Sequence, residues 1–162
     1  MTQAKIRQLT EEELPEMRAL NALNALFARC FDDPESYAEK KPDDACLRGL
    51  LAKPHVLVMT AHVNGVLCGG LVAYELEKFE QARSEIYIYD LAVDAEFRRQ
   101  GVASALIAKI SGVAVVRGAW VSFVQADYED APVVALYEKL GIREEVLHFD
   151  IPPMGKPAGP GS

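Results

Sequence analysis

The run Arg98-Arg99-Gln100-Gly101-Val102-Ala103-Ser104 has the make-up of an anion cradle. It lies between an apolar strand pattern and a helical one, where the unpaired N–H groups of a helix's first turn and the positive end of its dipole favour negative charge. Gly101 permits close backbone approach, the small Ala103 leaves room for ligand oxygens, and Arg98 and Arg99 add positive charge. The chemistry implied is the binding of a phosphate-bearing cofactor. A basic helix cap with a glycine turn would have the same sequence, so the run alone leaves that plainer alternative open. The P-loop and dinucleotide glycine patterns are both absent, which argues against a nucleotide hydrolase and a nicotinamide enzyme.

Asp90 is the one acidic residue in the interior of the apolar run 85–93. It is either a reactive carboxylate or a buried aspartate satisfied by loop N–H groups. Strict alternation puts Asp90 on the face opposite Tyr87 and Tyr89, and only a bulge would change that. His55, His62 and His148 are scattered without ligand-type spacing, so no metal site is expected. No GxSxG elbow is present, and Cys68 precedes two glycines inside a strand pattern, so no acyl-enzyme is expected.

These groups need elements to position them. Residues 4–9 alternate as a short strand. Thr10 with the acidic residues 11–13 reads as the N-cap of a helix reaching about Phe31, stopped by Asp32-Asp33-Pro34. A second helix fits 43–52, with Leu47, Leu50 and Leu51 on one face, and the loop between carries Tyr37 and Lys40-Lys41-Pro42. Two apolar runs, 55–63 and 66–76, flank Asn64-Gly65, the pair that a type I′ hairpin demands. The run 85–93 is apolar on both faces and belongs inside a sheet.

From Val102 the period changes to 3.6, through Leu106, Ile110 and Val113 to a stop at Gly118. A strand at 120–126 and a helix opened by Asp130 and Pro132 and closed by Gly141 follow. A final strand is expected over 142–151, and the Pro- and Gly-rich residues 152–162 read as a disordered tail. The order β, α, α, β, β, β, α, β, α, β is that of a mixed α/β domain, expected to be single over 1–151.

At 162 residues, half of them apolar and a quarter charged, the chain has the material for one core. Cys30, Cys46 and Cys68 lack CxxC spacing and read as reduced, buried thiols of a cytoplasmic protein. No apolar stretch approaches a membrane span, and no signal peptide is recognisable. Seventeen basic against twenty-four acidic residues give a formal charge of −7, which argues against nucleic acid and suits a polycationic small molecule.

Arg98-x-x-Gly101-x-Ala103, placed after Asp90-Leu91-Ala92-Val93 and before an amphipathic helix, resembles the acetyl-coenzyme A motif of the GNAT acetyltransferases. Ala135-Leu136-Tyr137-x-Lys139-Leu140-Gly141-Ile142 is similar to the family's second signature. The runs Phe79-Glu80, 83–93, Gln125-Ala126-Asp127-Tyr128 and 139–151 resemble the GNAT-type aminoglycoside 3-N-acetyltransferases, a likeness that covers most of 55–151. It implies a GNAT fold, with helices flanking a mixed central sheet whose central strand is splayed.

It also implies acetyl-coenzyme A as cosubstrate, held by residues 98–104 (Arg98, Arg99, Gln100, Gly101, Val102, Ala103 and Ser104) and by the backbone of Leu91, Ala92 and Val93. Asp90 is then the expected general base and Tyr137 the acid for the leaving thiolate. Glu85, Tyr89, Asp127, Glu129, Asp130 and Asp150 are expected to meet a polycationic amine, although each acid could equally be a solvated or helix-capping residue. A homodimer is a family habit. Two alternatives stay open: acetylation of another amine (a polyamine, a protein lysine or an N-terminus), and a coenzyme A-binding module without catalysis.

Overall fold

The structure, a computed structural model, describes residues 3–11 and 15–155. The chain divides into two compact units, Met1–Gln125 and Ala126–Ser162. The first holds β1 (Lys5–Gln8), α1 (Pro15–Cys30), α2 (Asp44–Leu51), β2 (Val56–Val63), β3 (Val66–Glu77), β4 (Ser84–Val93), α3 (Val102–Arg117) and β5 (Ala119–Val124). The five strands form one sheet in sequence order, antiparallel from β1 to β4, with β5 parallel to β4. This is the mixed α/β sheet with flanking helices that the sequence predicts.

Local chemistry explains most boundaries. Asn64 and Gly65 both have positive φ, 51° and 80°, as the type I′ turn between β2 and β3 requires. The Asp43 carboxylate accepts from Cys46 N at 2.8 Å and caps α2. Gly118, at φ 69°, closes α3 in the left-handed conformation. Among the described residues α1 runs from Pro15, and the start expected for it after Thr10 falls on residues 12–14, outside the described residues.

Two apolar layers cover the sheet. On one face Val102, Leu106, Ile110 and Ala114 of α3 pack against Leu57, Met59, Leu71, Ala73, Ile86 and Ile88. On the other, Leu20, Leu23, Leu26 and Phe27 of α1 and Leu47 of α2 pack with Val56, Val58 and Ala92. Each of these large side chains contributes about 1.5–3 kcal/mol when fully buried. Glycine sets how closely α1 approaches: a Cβ at Gly70 would lie 2.2 Å from Leu23 Cδ1 and 2.9 Å from Met59 O. The cysteines are free, but only Cys68 is buried; Cys46 is exposed on α2, where the polar start of the helix faces solvent.

The second unit contains α4 (Ala131–Leu140). The Asp130 carboxylate accepts from Val133 N at 3.3 Å, and Pro132 occupies the first turn. The strand expected over 142–151 is not formed: this stretch pairs with no strand among the described residues, and extended chain becomes a strand only with a ladder partner. The expected tail lies mostly outside the described residues. No helix among those described is long and apolar enough to cross a membrane.

Candidate active site

The decisive irregularity lies in β4. Asp90 stands opposite Val72 and Ile88 opposite Ala73, so Tyr89 has no residue across from it, and the strand bulges there. Before the bulge Ile86 and Ile88 face the α3 layer; after it Leu91 and Val93 do, while Ala92 turns to the α1 layer. The bulge therefore resets the alternation. Tyr87, opposite Tyr74 of the α1 face, and Asp90, bonded to Tyr37 on that face, come to the same side. Strict alternation predicts the reverse, and the extra residue overturns it.

The same strand is splayed. Pairing of β4 with β5 runs from Ser84 opposite Ala119 to Ile88 opposite Val124 and stops there. Beyond Ile88, β4 continues with β3 alone, through Leu91, Ala92 and Val93. Backbone groups on the β5 side of that stretch have no strand partner among the described residues, so they are available to a ligand lying in the cleft.

Asp90 is partly buried, and its Oδ1 accepts from the Tyr37 hydroxyl at 2.5 Å. Burial pushes its carboxyl above the ordinary aspartate value, and the Tyr37 bond pulls it part of the way back. Around it stands an aromatic wall. Tyr87 stacks on Phe123 with centroids 4.7 Å apart, Tyr89 meets Tyr87 at 5.4 Å and Tyr74 at 5.9 Å, and the Tyr87 hydroxyl donates to Gln125 Oε1 at 2.9 Å. Tyr89, the bulged residue, is largely exposed. Such π faces beside a carboxylate attract ammonium groups.

After Val93 the chain makes one 3-10 turn, Ala95–Phe97, and reaches residues 98–104. Arg99 and Gly101 both take left-handed conformations, φ 61° and 81°, so the backbone curls immediately before the first turn of α3. A Cβ at Gly101 would meet nothing within 4 Å, so the space before the helix is open. The first-turn N–H groups of Val102, Ala103 and Ser104 open this anion-favouring end, the helix ladder beginning with Ala105 N to Gly101 O at 2.9 Å. Arg98 Nε donates to Val93 O at 3.1 Å, clasping the loop to the end of β4, and Gln100 Nε2 donates to Glu96 O at 3.0 Å. Asp90, the open β4 edge and the cradle are thus consecutive on one strand–loop–helix unit.

Of the remaining expected residues, Glu85, Asp130 and Asp150 have local partners. Glu85, five residues before Asp90 and so about 15 Å away along the strand, is held 3.6 Å from Lys78 Nζ. In the second unit Asp127, Tyr128, Glu129 and Asp130 line a shallow hollow; Asp130 is also the α4 cap, and Asp150 lies 3.0 Å from His148 Nε2. Tyr137 is on α4, and burial, reinforced by Asp130, raises its phenol above the ordinary tyrosine value. Among the described residues no group of three His, Cys, Asp or Glu is placed to hold a metal ion.

Sequence reasoning missed Tyr37 and Tyr74. Tyr37 reaches Asp90 across 53 positions, which no local pattern encodes; its one signal was an aromatic residue inside a polar, proline-flanked loop.

Comparison with known proteins agrees with this geometry. The model of the acetyltransferase (GNAT) family matches residues 20–142. An aminoglycoside acetyltransferase from an uncultured soil metagenomic sample is 50% identical, with TM-score 0.87 over 93% of this chain and 99% of its own. A second from such a sample, in complex with sisomicin, is 31% identical, with TM-score 0.82 over 93% and 96%. The aminoglycoside N-acetyltransferase AAC(6') in complex with CoA, at 19% identity and TM-score 0.73 over 95% and 97%, shows a shared fold alone. No curated protein matches the chain at comparable stringency.

Proposed function

Because the chain belongs to the GNAT acetyltransferase family, we propose that it acetylates an aminoglycoside from acetyl-coenzyme A, at the 3-amino group of the deoxystreptamine ring. The observation that carries the reading is the Tyr89 bulge, which sets a partly buried carboxylate beside a tyrosine wall and an open strand edge. The 50% identity to an aminoglycoside acetyltransferase supports the substrate class, and the runs at 83–93 and 139–151 support the 3-amino position.

The residues fit the cosubstrate. The left-handed backbone at Arg99 and Gly101, the open space before Gly101 and the start of α3 suit a pyrophosphate, with Arg98 and Arg99 supplying charge. When bound, acetyl-coenzyme A supplies an activated acetyl thioester. The free backbone of Leu91, Ala92 and Val93 is proposed to bind its arm and to stabilise charge developing on the carbonyl oxygen.

The acceptor enters as an ammonium and must lose a proton before its nitrogen can attack. Asp90 is proposed to take that proton, since burial raises its basicity and an ammonium is drawn to it. Tyr137 is proposed to protonate the leaving thiolate, a phenol carrying its proton at neutral pH as tyrosines ordinarily do, and Tyr137→Phe is expected to lower kcat. Tyr89 and the acids Glu85, Asp127, Glu129, Asp130 and Asp150 are proposed to attract the drug's other ammonium groups, each exposed pair giving about 1 kcal/mol or less. Acetylation removes a positive charge, so the product should bind RNA phosphates less well and confer resistance.

The test is thiol release from acetyl-coenzyme A with gentamicin, kanamycin, spermidine and a lysine peptide, with products identified by mass and the acylated nitrogen by NMR. Fast turnover of gentamicin at the 3-amino group is expected. Preference for spermidine or peptide would replace the substrate class, and acylation elsewhere on the drug would replace the regiochemistry.

A further inference from the structure

Among the described residues, the one hydrogen bond to the Asp90 side chain comes from a segment that the reaction scheme leaves unused. Tyr37 sits in a single π-helical turn, Glu35–Glu39, just after α1. Its ring packs against Phe27 at 5.8 Å and Phe31 at 5.5 Å between centroids, and those two rings stack on each other at 5.5 Å. Phe27 is fully buried, so the anchor is rigid. The turn is fixed at its start, where Ser36 N donates to Asp33 Oδ1 at 3.1 Å. The Tyr37 hydroxyl donates at 2.5 Å to Asp90 Oδ1, while Oδ2 has no hydrogen-bond partner among the described residues.

We propose that Tyr37 is a positioning residue for acetyl transfer: it fixes one oxygen of Asp90 so that the other faces the incoming amine and takes its proton. The inference rests on Asp90 acting as general base. In the step an N–H bond of the ammonium breaks and an O–H bond forms on Oδ2; the freed nitrogen lone pair then bonds the acetyl carbon, the carbon–sulfur bond breaks, and the second proton shed by the nitrogen ends on the leaving sulfur. Tyr37 keeps its own proton throughout, because burial and the adjoining Asp90 carboxylate push its phenol far above the working pH.

Among the described residues, the titratable groups facing Asp90 are otherwise phenols: Tyr74 from β3 and Tyr87 and Tyr89 from β4. Asp33 lies near Tyr37 rather than Asp90, and on α1 Arg29 is committed to Asp94 at 3.0 Å. Tyr37 is therefore the side chain that favours the ionised carboxylate. Its bond lowers the proton affinity that burial raises.

The experiment compares Tyr37→Phe, which keeps the ring packing, with the parent enzyme. Two readouts are taken: the pH profile of kcat/KM for gentamicin, and the titration of the Asp90 carboxyl by carbon-13 NMR in the substrate-free protein. The expected result is a roughly tenfold lower kcat at neutral pH, unchanged coenzyme A affinity, and an acid limb and carboxyl titration both moved to higher pH. A slower variant whose Asp90 titration has not moved would make Tyr37 merely structural and overturn the proposal. Asp90→Asn separates the two levels: if it keeps full turnover, the base assignment itself falls, whereas an inactive Asp90→Asn beside an unmoved titration in Tyr37→Phe removes only the role of Tyr37.

Discussion

Helix α3 carries a matched pair of glycines that separates backbone strain from ligand binding. Gly101 and Gly118, at its two ends, have φ of 81° and 69°, and a Cβ at either would meet nothing within 4 Å. Replacing either by leucine forces a side chain into the left-handed region, at about 1–2 kcal/mol. In a chain of this length each kcal/mol lowers Tm by roughly 2–4 °C, so both variants should melt about 2–8 °C below the parent. Only Gly101 adjoins the proposed pyrophosphate cradle, where a leucine side chain would occupy the open space before the helix. Isothermal titration with coenzyme A should show Kd raised at least about tenfold, or about 1.4 kcal/mol, for Gly101→Leu and unchanged for Gly118→Leu. Equal affinities in the two variants would refute the cradle assignment, because the strain is shared and the ligand is not.

Two further outcomes concern stability. Gly70→Ala should cost about 1–3 kcal/mol, read by chemical denaturation, since its Cβ would fall 2.2 Å from Leu23 Cδ1 and 2.9 Å from the Met59 carbonyl. Arg117 ties the end of α3 to β3 by bonding Glu75 at 2.5 Å and the Pro54 carbonyl at 2.6 Å. Burial pushes the Glu75 carboxyl up, but bonds from Ser84 and Arg117 more than offset it and hold it below its ordinary value. A carboxylate lowered by folding contributes stability above its unfolded pKa and loses it as pH falls through the folded one. Arg117→Met should therefore cost about 2 kcal/mol at neutral pH, and the Tm gap to the parent should narrow as the pH falls below the usual carboxylate range.

Much of this was legible in the sequence because it is local. Asn64-Gly65 specifies its own turn, the 3.6-residue repeat from Val102 specifies α3, and Asp130 with Pro132 opens α4 where a capping residue and a first-turn proline should. What was not legible involves partners. The bulge at Tyr89 exists only as a mismatch between β3 and β4, so β4 read alone keeps strict alternation and puts Asp90 on the wrong face. Tyr37 belongs to the site through the fold of α1 onto the sheet, and residues 142–151 look like a strand while no strand lies beside them among those described.

The central claim is that Asp90, turned by the bulge to the tyrosine face, is the base for amine acetylation. Its most direct test is thiol release from acetyl-coenzyme A by Asp90→Asn with gentamicin, beside coenzyme A affinity and the thermal melt. The asparagine amide oxygen can still accept from Tyr37, so the fold and the cosubstrate Kd should be retained while kcat falls by about 100-fold or more. Turnover equal to the parent's, in a variant that melts and binds coenzyme A normally, would contradict the account.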